Sequence, residues 1–158
     1  MKEIYITKNQ KETISLGKKT AKNLILSKKR KKALILALTG DLGGGKTTFL
    51  KGFAKGLGIK EKILSPTFIL MKKFKICANS CSNSCKFVNF YHIDCYRIEN
   101  PKEILDLGFK EIVNNPKNIV AIEWANKIKK IIPKRAIQIN FELKSKKERK
   151  ICIFKKNV

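Results

Sequence analysis

The sequence predicts a three-layer α/β domain with a mostly parallel central sheet and antiparallel edge strands, on three observations. Residues 33–38 form an unbroken apolar run of strand length, as a strand covered on both faces requires. The glycine-rich segment Gly40-Asp41-Leu42-Gly43-Gly44-Gly45-Lys46-Thr47 follows directly. Beyond it Phe49, Leu50, Phe53, Ala54 and Leu57 recur at helical spacing, and Gly58 supplies a residue that tolerates the left-handed conformation of a helix end.

The remaining elements follow from pattern and punctuation. Residues 4–6 alternate as a short strand, and Thr7 with Gln10 fits a capping box that opens a helix. That helix carries Ile14, Gly17, Ala21, Leu24 and Ile25 on one stripe and runs out in the cationic residues 28–32. Residues 68–76 and 87–93 read as two strands joined by the polar stretch 78–84, so a hairpin is expected. Pro101 suits the first turn of a helix whose contacts come from Ile104, Leu105, Leu107 and Phe109, ending before Asn114-Asn115-Pro116. Residues 119–122 make a buried strand that ends at Glu123-Trp124. Residues 136–141 and 150–154 alternate and predict a final antiparallel pair. With no internal repeat or linker, residues 1–158 are expected to form a single domain, the usual outcome at this length.

Composition narrows the class. No apolar run approaches the roughly 20 residues that cross a bilayer, and the first residues lack the apolar stretch of a signal peptide. The expectation is a cytoplasmic protein with no membrane partner, its five cysteines held as thiols. A net charge of +24 attracts nucleic acid through counterion release. The excess is mostly lysine beside abundant isoleucine and asparagine, a mixture that A- and T-rich coding also produces, so charge bears only on non-specific partners.

The chemistry lies in Gly40-x-x-x-x-Gly45-Lys46-Thr47, which fits the phosphate-binding loop. Glycines let backbone N–H groups turn inward and approach phosphate oxygens without a Cβ in the way. The following helix directs its positive end and free N–H groups at the same anion. Lys46 is then placed to neutralise the outer phosphates of ATP, and the Thr47 hydroxyl to bind Mg2+. Such a site draws on an acidic residue at the end of a neighbouring strand, and Asp94 and Glu123 both qualify.

Together with the loop, Ser65-Pro66-Thr67-Phe68, His92-Ile93-Asp94-Cys95-Tyr96-Arg97 and Ile122-Glu123-Trp124 resemble, in order and spacing, the bacterial TsaE (YjeE) ATPases. The resemblance covers nearly the whole chain and implies a P-loop NTPase fold. It implies ATP and Mg2+ as cofactors and a slow, partner-dependent ATPase supporting the threonylcarbamoyladenosine (t6A) modification at position 37 of tRNA. The implied partner is the TsaD–TsaB heterodimer, with tRNA reached through that complex. Carried over, Gly43, Gly44, Gly45, Lys46, Thr47 and Thr48 would bind phosphate, and Thr47 with Glu123 would hold the metal. Lys46, Asp94 and Glu123 would be catalytic, Asp94 as a water-orienting carboxylate. Thr67 would lie in a switch-like segment, Trp124 near the nucleotide or the partner interface, and Thr13 and Arg135 on the adenine side.

Other readings stand beside this one. A small P-loop kinase would need a basic lid over an acceptor pocket, and no segment has that character. A nucleotide-switched basic RNA-binding module would use aromatics among cations, as in residues 68–75, a pattern that a half-buried strand shares. Cys77, Cys81 and Cys85 recur every four residues, which suits free thiols on a polar loop better than a zinc clip built from close pairs. His92 reads either as a packed imidazole or as a residue that positions Asp94.

Overall fold

A computed structural model describes residues 1–25, 30–64, 69–76 and 87–155. Thr67 and its neighbours Ser65, Pro66 and Phe68 lie outside the described residues, as do Cys77, Cys81 and Cys85 and the predicted hairpin tip. The strands are β1 (Lys2–Thr7), β2 (Leu34–Gly40), β3 (Met71–Lys75), β4 (Asn89–Asp94), β5 (Asn118–Glu123), β6 (Ile137–Leu143) and β7 (Arg149–Phe154). The helices are α1 (Gln10–Ile25), α2 (Lys46–Gly56), α3 (Lys102–Asp106) and α4 (Phe109–Asn114), with a 3-10 turn at Ala125–Ile128.

The seven strands form one sheet in the order β1-β7-β6-β2-β5-β4-β3. β6, β2, β5 and β4 run parallel, while β3 pairs antiparallel at one edge and β7 and β1 at the other. The parallel centre follows from the two-sided apolar runs. Leu34, Leu36 and Leu38 of β2 enter a core beneath α1 and α2, while Ile35 and Ala37 enter a second core with Ile104 of α3 and Phe109 of α4. β5 divides in the same way, Ile119 and Ala121 on one face and Val120 and Ile122 on the other.

α1 and α2 touch through glycine. A Cβ on Gly17 would stand 2.1 Å from the Phe49 carbonyl oxygen, and one on Gly52 would stand 1.9 Å from that of Ile14. The two backbones therefore approach closer than any side chain permits. α2 ends as its sequence indicates: Gly58 takes a φ of 74°, and the N–H groups of Gly58 and Ile59 bond the carbonyls of Lys55 and Ala54, the paired bonds of a Schellman end.

Two local expectations are corrected. Thr7 does not cap α1, because pairing with Arg149 keeps it in β1, where its buried hydroxyl lies 2.8 Å from that of Thr13. The cap falls two residues later. Asn9 Oδ1 accepts the Glu12 N–H at 2.9 Å, and Glu12 Oε2 accepts the Lys8 N–H at 2.7 Å. The single helix expected after Pro101 is two, since Gly108 adopts a φ of 77° and turns the chain between α3 and α4.

Candidate functional site

The loop between β2 and α2 has the backbone its composition permits. Gly40, Gly43 and Gly45 take φ of 124°, 73° and 99°, values that an L side chain rarely adopts. Gly40 has a second reason to be glycine, since a Cβ there would stand 1.9 Å from the Phe141 carbonyl oxygen on β6. Gly45 is the N-cap of α2 and offers no side-chain oxygen, so the N–H groups of the first turn are left for a ligand.

Lys46 is buried and donates to the carbonyls of Gly40 at 2.8 Å and Asp41 at 2.7 Å. Its ammonium also lies 4.0 Å from the Trp124 ring centroid. Burial holds the ammonium below its usual range, while Glu123, Asp41 and Asp94 pull the other way.

The carboxylates arrive from the neighbouring strands. Parallel pairing sets Glu123 at the end of β5 opposite Leu38 of β2 on one side and Asp94 of β4 on the other. Both acids are 2 % exposed. The Thr47 hydroxyl lies 2.9 Å from each Glu123 oxygen, and the fully buried His92 approaches Oε1 through Nε2 at 2.8 Å. His92 thus engages Glu123 rather than Asp94. Asp94 Oδ1 accepts the Tyr96 N–H at 2.9 Å, and the Tyr96 ring meets Trp124 at 5.1 Å. Trp124 has a φ of 56°, a left-handed backbone unusual for an aromatic residue.

These groups line a cleft of about 520 Å³ together with Gly43, Gly45, Thr48 and, from α1, Gln10 and Thr13. A hydroxyl beside a carboxylate, with a second carboxylate in register, is an oxygen donor set of the kind Mg2+ takes. Among the described residues no three His, Cys, Asp or Glu side chains gather into a metal cage.

Arg135 is absent from this assembly. β6 runs parallel to β2, so the residues that precede it stand at the end of the strands opposite the loop, where Arg135 donates to the Val113 carbonyl at 2.6 Å. The sequence reading missed Arg149. β7 runs antiparallel to β6, which brings its first residue back to the loop edge, where Arg149 Nη2 lies 3.4 Å from the Gly43 carbonyl and lines the cleft. No local motif marks it. Tyr96 was visible within the His92–Arg97 motif, but its stacking on Trp124 was not.

Strand, glycine-rich loop, helix and two strand-end carboxylates define a P-loop NTPase of the α/β class. A family model described as "Threonylcarbamoyl adenosine biosynthesis protein TsaE" matches residues 7–151. The chain belongs to the TsaE family. It is 36% identical over 155 residues to the tRNA threonylcarbamoyladenosine biosynthesis protein TsaE of Rickettsia prowazekii, covering 98% of this chain and 96% of the relative. The Bacillus subtilis TsaE is 36% identical over 152 residues, covering 96% and 85%. The crystal structure of Bacillus subtilis YdiB superposes with a TM-score of 0.73 at 30% identity, covering 97% of this chain and 84% of that one. Among the described residues no helix is long and apolar enough to cross a membrane.

Proposed function

We propose that this chain, as one P-loop ATPase domain, binds ATP with Mg2+ in the cleft and hydrolyses it slowly. In this reading it serves t6A formation in the cytoplasm with the TsaD–TsaB heterodimer and meets tRNA through that complex. The observation that carries the reading is the Thr47 hydroxyl, 2.9 Å from both oxygens of a buried Glu123 directly behind the phosphate-binding loop. A hydroxyl that donates to a carboxylate keeps its lone pairs for a cation.

Each group in the cleft has a task under this reading. Loop N–H groups from Gly43 to Thr48 and the N-terminus of α2 hold the phosphates. Lys46 exchanges its two carbonyl partners for phosphate oxygens and neutralises charge that develops on the transferring group. Thr47 and Glu123 hold the magnesium, which when bound offsets phosphate charge. Asp94 orients the attacking water, and the Tyr96–Trp124 pair covers Lys46 and limits access of bulk water. Thr13 and Gln10 face the nucleoside side, and Thr67 acts as the switch-like residue.

The test is ATP hydrolysis by the chain alone and with TsaD–TsaB, with Lys46→Ala and Glu123→Ala as controls. The proposal expects a rate that the partners change and both substitutions abolish. Transfer of phosphate to a small acceptor, with no effect of the partners, would overturn it in favour of a kinase. Nucleotide entry has its own signal, because Trp124 is the sole tryptophan and rests on Lys46.

A further inference from the structure

His92 is the buried group near the cleft to which the loop chemistry assigns no task. Its side chain is fully inaccessible, yet it carries two ring nitrogens into the core face of β4. Nε2 lies 2.8 Å from Glu123 Oε1, while Nδ1 has no partner among the described residues. The tautomer that suits both facts carries its hydrogen on Nε2. It donates to the carboxylate and leaves a bare lone pair at Nδ1 rather than an orphaned N–H.

A buried carboxylate is tolerable only when its oxygens are hydrogen-bonded, and Glu123 has two such partners, Thr47 and His92. Thr47 reaches both oxygens, and a group equidistant from two oxygens does not choose between them. His92 touches Oε1 alone, so it is the contact that selects one rotation of the carboxylate about its last bond. The imidazole is itself immobile. It sits on the strand that pairs with β5, two residues before Asp94, with Phe90 packed against Phe53 and Phe74 on the same face. Core packing is thereby transmitted to the metal-side carboxylate through one hydrogen bond.

We infer that His92 is a positioning residue for Glu123, fixing the carboxylate in the orientation in which it and Thr47 accept magnesium with the nucleotide. The inference rests on the proposed ATP–Mg2+ reading of the cleft. It also separates two affinities. Phosphate binding by the loop does not involve His92, whereas the gain in affinity on adding magnesium does. Loss of a hydrogen-bonding partner behind a metal ligand typically lowers metal affinity about 10–100-fold.

The experiment titrates a fluorescent ATP analogue into the full chain in EDTA and then adds Mg2+ to the complex. It compares wild type, His92→Leu and His92→Gln. His92→Leu removes the donor and is expected to bind the analogue in EDTA as wild type does, with its magnesium midpoint raised about 10–100-fold. His92→Gln places an amide N–H near the Nε2 position and is expected to restore most of the magnesium response. A merely structural role would move both phases together and would not be rescued by glutamine. Should His92→Leu not fold, His92→Asn, whose donor falls short of Oε1, carries the same expectation. A magnesium midpoint within twofold of wild type in a donor-less variant overturns the inference. Failure of wild type to bind the analogue overturns instead the reading on which it rests.

Discussion

The glycine contact between α1 and α2 makes a quantitative prediction whose sign runs against helix propensity. Gly52 lies inside α2, and alanine in a helix interior is favoured over glycine by about 1 kcal/mol. The structure reverses that preference. An added Cβ would stand 1.9 Å from the Ile14 oxygen and 2.7 Å from its carbonyl carbon, and both atoms are backbone, so no side chain can rotate aside. Reaching ordinary contact requires the helices to separate by roughly 1 Å or more. Overpacking of this kind costs about 1–3 kcal/mol, and a backbone-to-backbone clash belongs at or beyond the upper end. The net expectation for Gly52→Ala is a loss of about 2 kcal/mol, or about 4–8 °C in Tm for a chain of this size. Thermal unfolding by circular dichroism reads it, with urea unfolding to check that the m-value is unchanged. An unchanged or raised Tm would refute the close approach and with it the packing that sets α2 behind the loop.

Arg149→Ala is expected to weaken ATP binding about tenfold, a charge-assisted contact reduced by solvent at the cleft mouth, while Arg135→Ala leaves affinity unchanged and lowers stability by about 1 kcal/mol; calorimetric titration and thermal melts separate the two. Burial, reinforced by the charge of Asp94, pushes the Cys95 thiol up to about 12. The folded state therefore keeps a proton that the unfolded chain releases near the ordinary value of 9.0, so this stabilisation is present below pH 9 and is lost as pH rises towards 12. Alkylation of the native protein at pH 8 followed by peptide mass spectrometry is expected to leave Cys95 unmodified, and Cys95→Ala to show a shallower decline in Tm above pH 9. Asn9→Ala removes the cap of α1 and is expected to lower stability by about 1 kcal/mol in denaturant unfolding, whereas the notion that Thr7 forms that cap predicts no effect.

What the sequence made legible depended on how local the cause was. The two-sided apolar runs of β2 and β5 imply burial from both faces, and the structure places them side by side in parallel. The loop glycines were readable because phosphate approach needs backbone that only glycine supplies. Asp94 and Glu123 were readable as strand ends, and strand ends in a parallel sheet meet at one edge. Arg135 and Arg149 were not distinguishable, because both border C-terminal strands and only strand direction decides which sheet edge each occupies. A parallel β6 sends its preceding residue away from the loop, and an antiparallel β7 brings its first residue back. The cap of α1 was missed for a related reason. Thr7 has the right chemistry for a cap, but its pairing with Arg149 on a strand far along the chain claims it for the sheet.

That same pairing ties α1 to the Arg149 side of the cleft. Thr7 ends β1 opposite Arg149 of β7, and its hydroxyl meets Thr13 of α1, which faces Gly45 of the loop. Four residues along the same helix Gly17 presses on Phe49, one turn into α2. The helix behind the loop is therefore held against α1 by direct backbone contact. On the opposite side Trp124 holds Lys46 from a left-handed backbone that costs about 1–2 kcal/mol for a residue with a Cβ. If ATP binds as proposed, exchange of the Lys46 carbonyl contacts for phosphate is expected to disturb the Trp124 ring contact, and a change in Trp124 fluorescence on adding ATP checks it. Unchanged fluorescence on saturation would argue against that coupling.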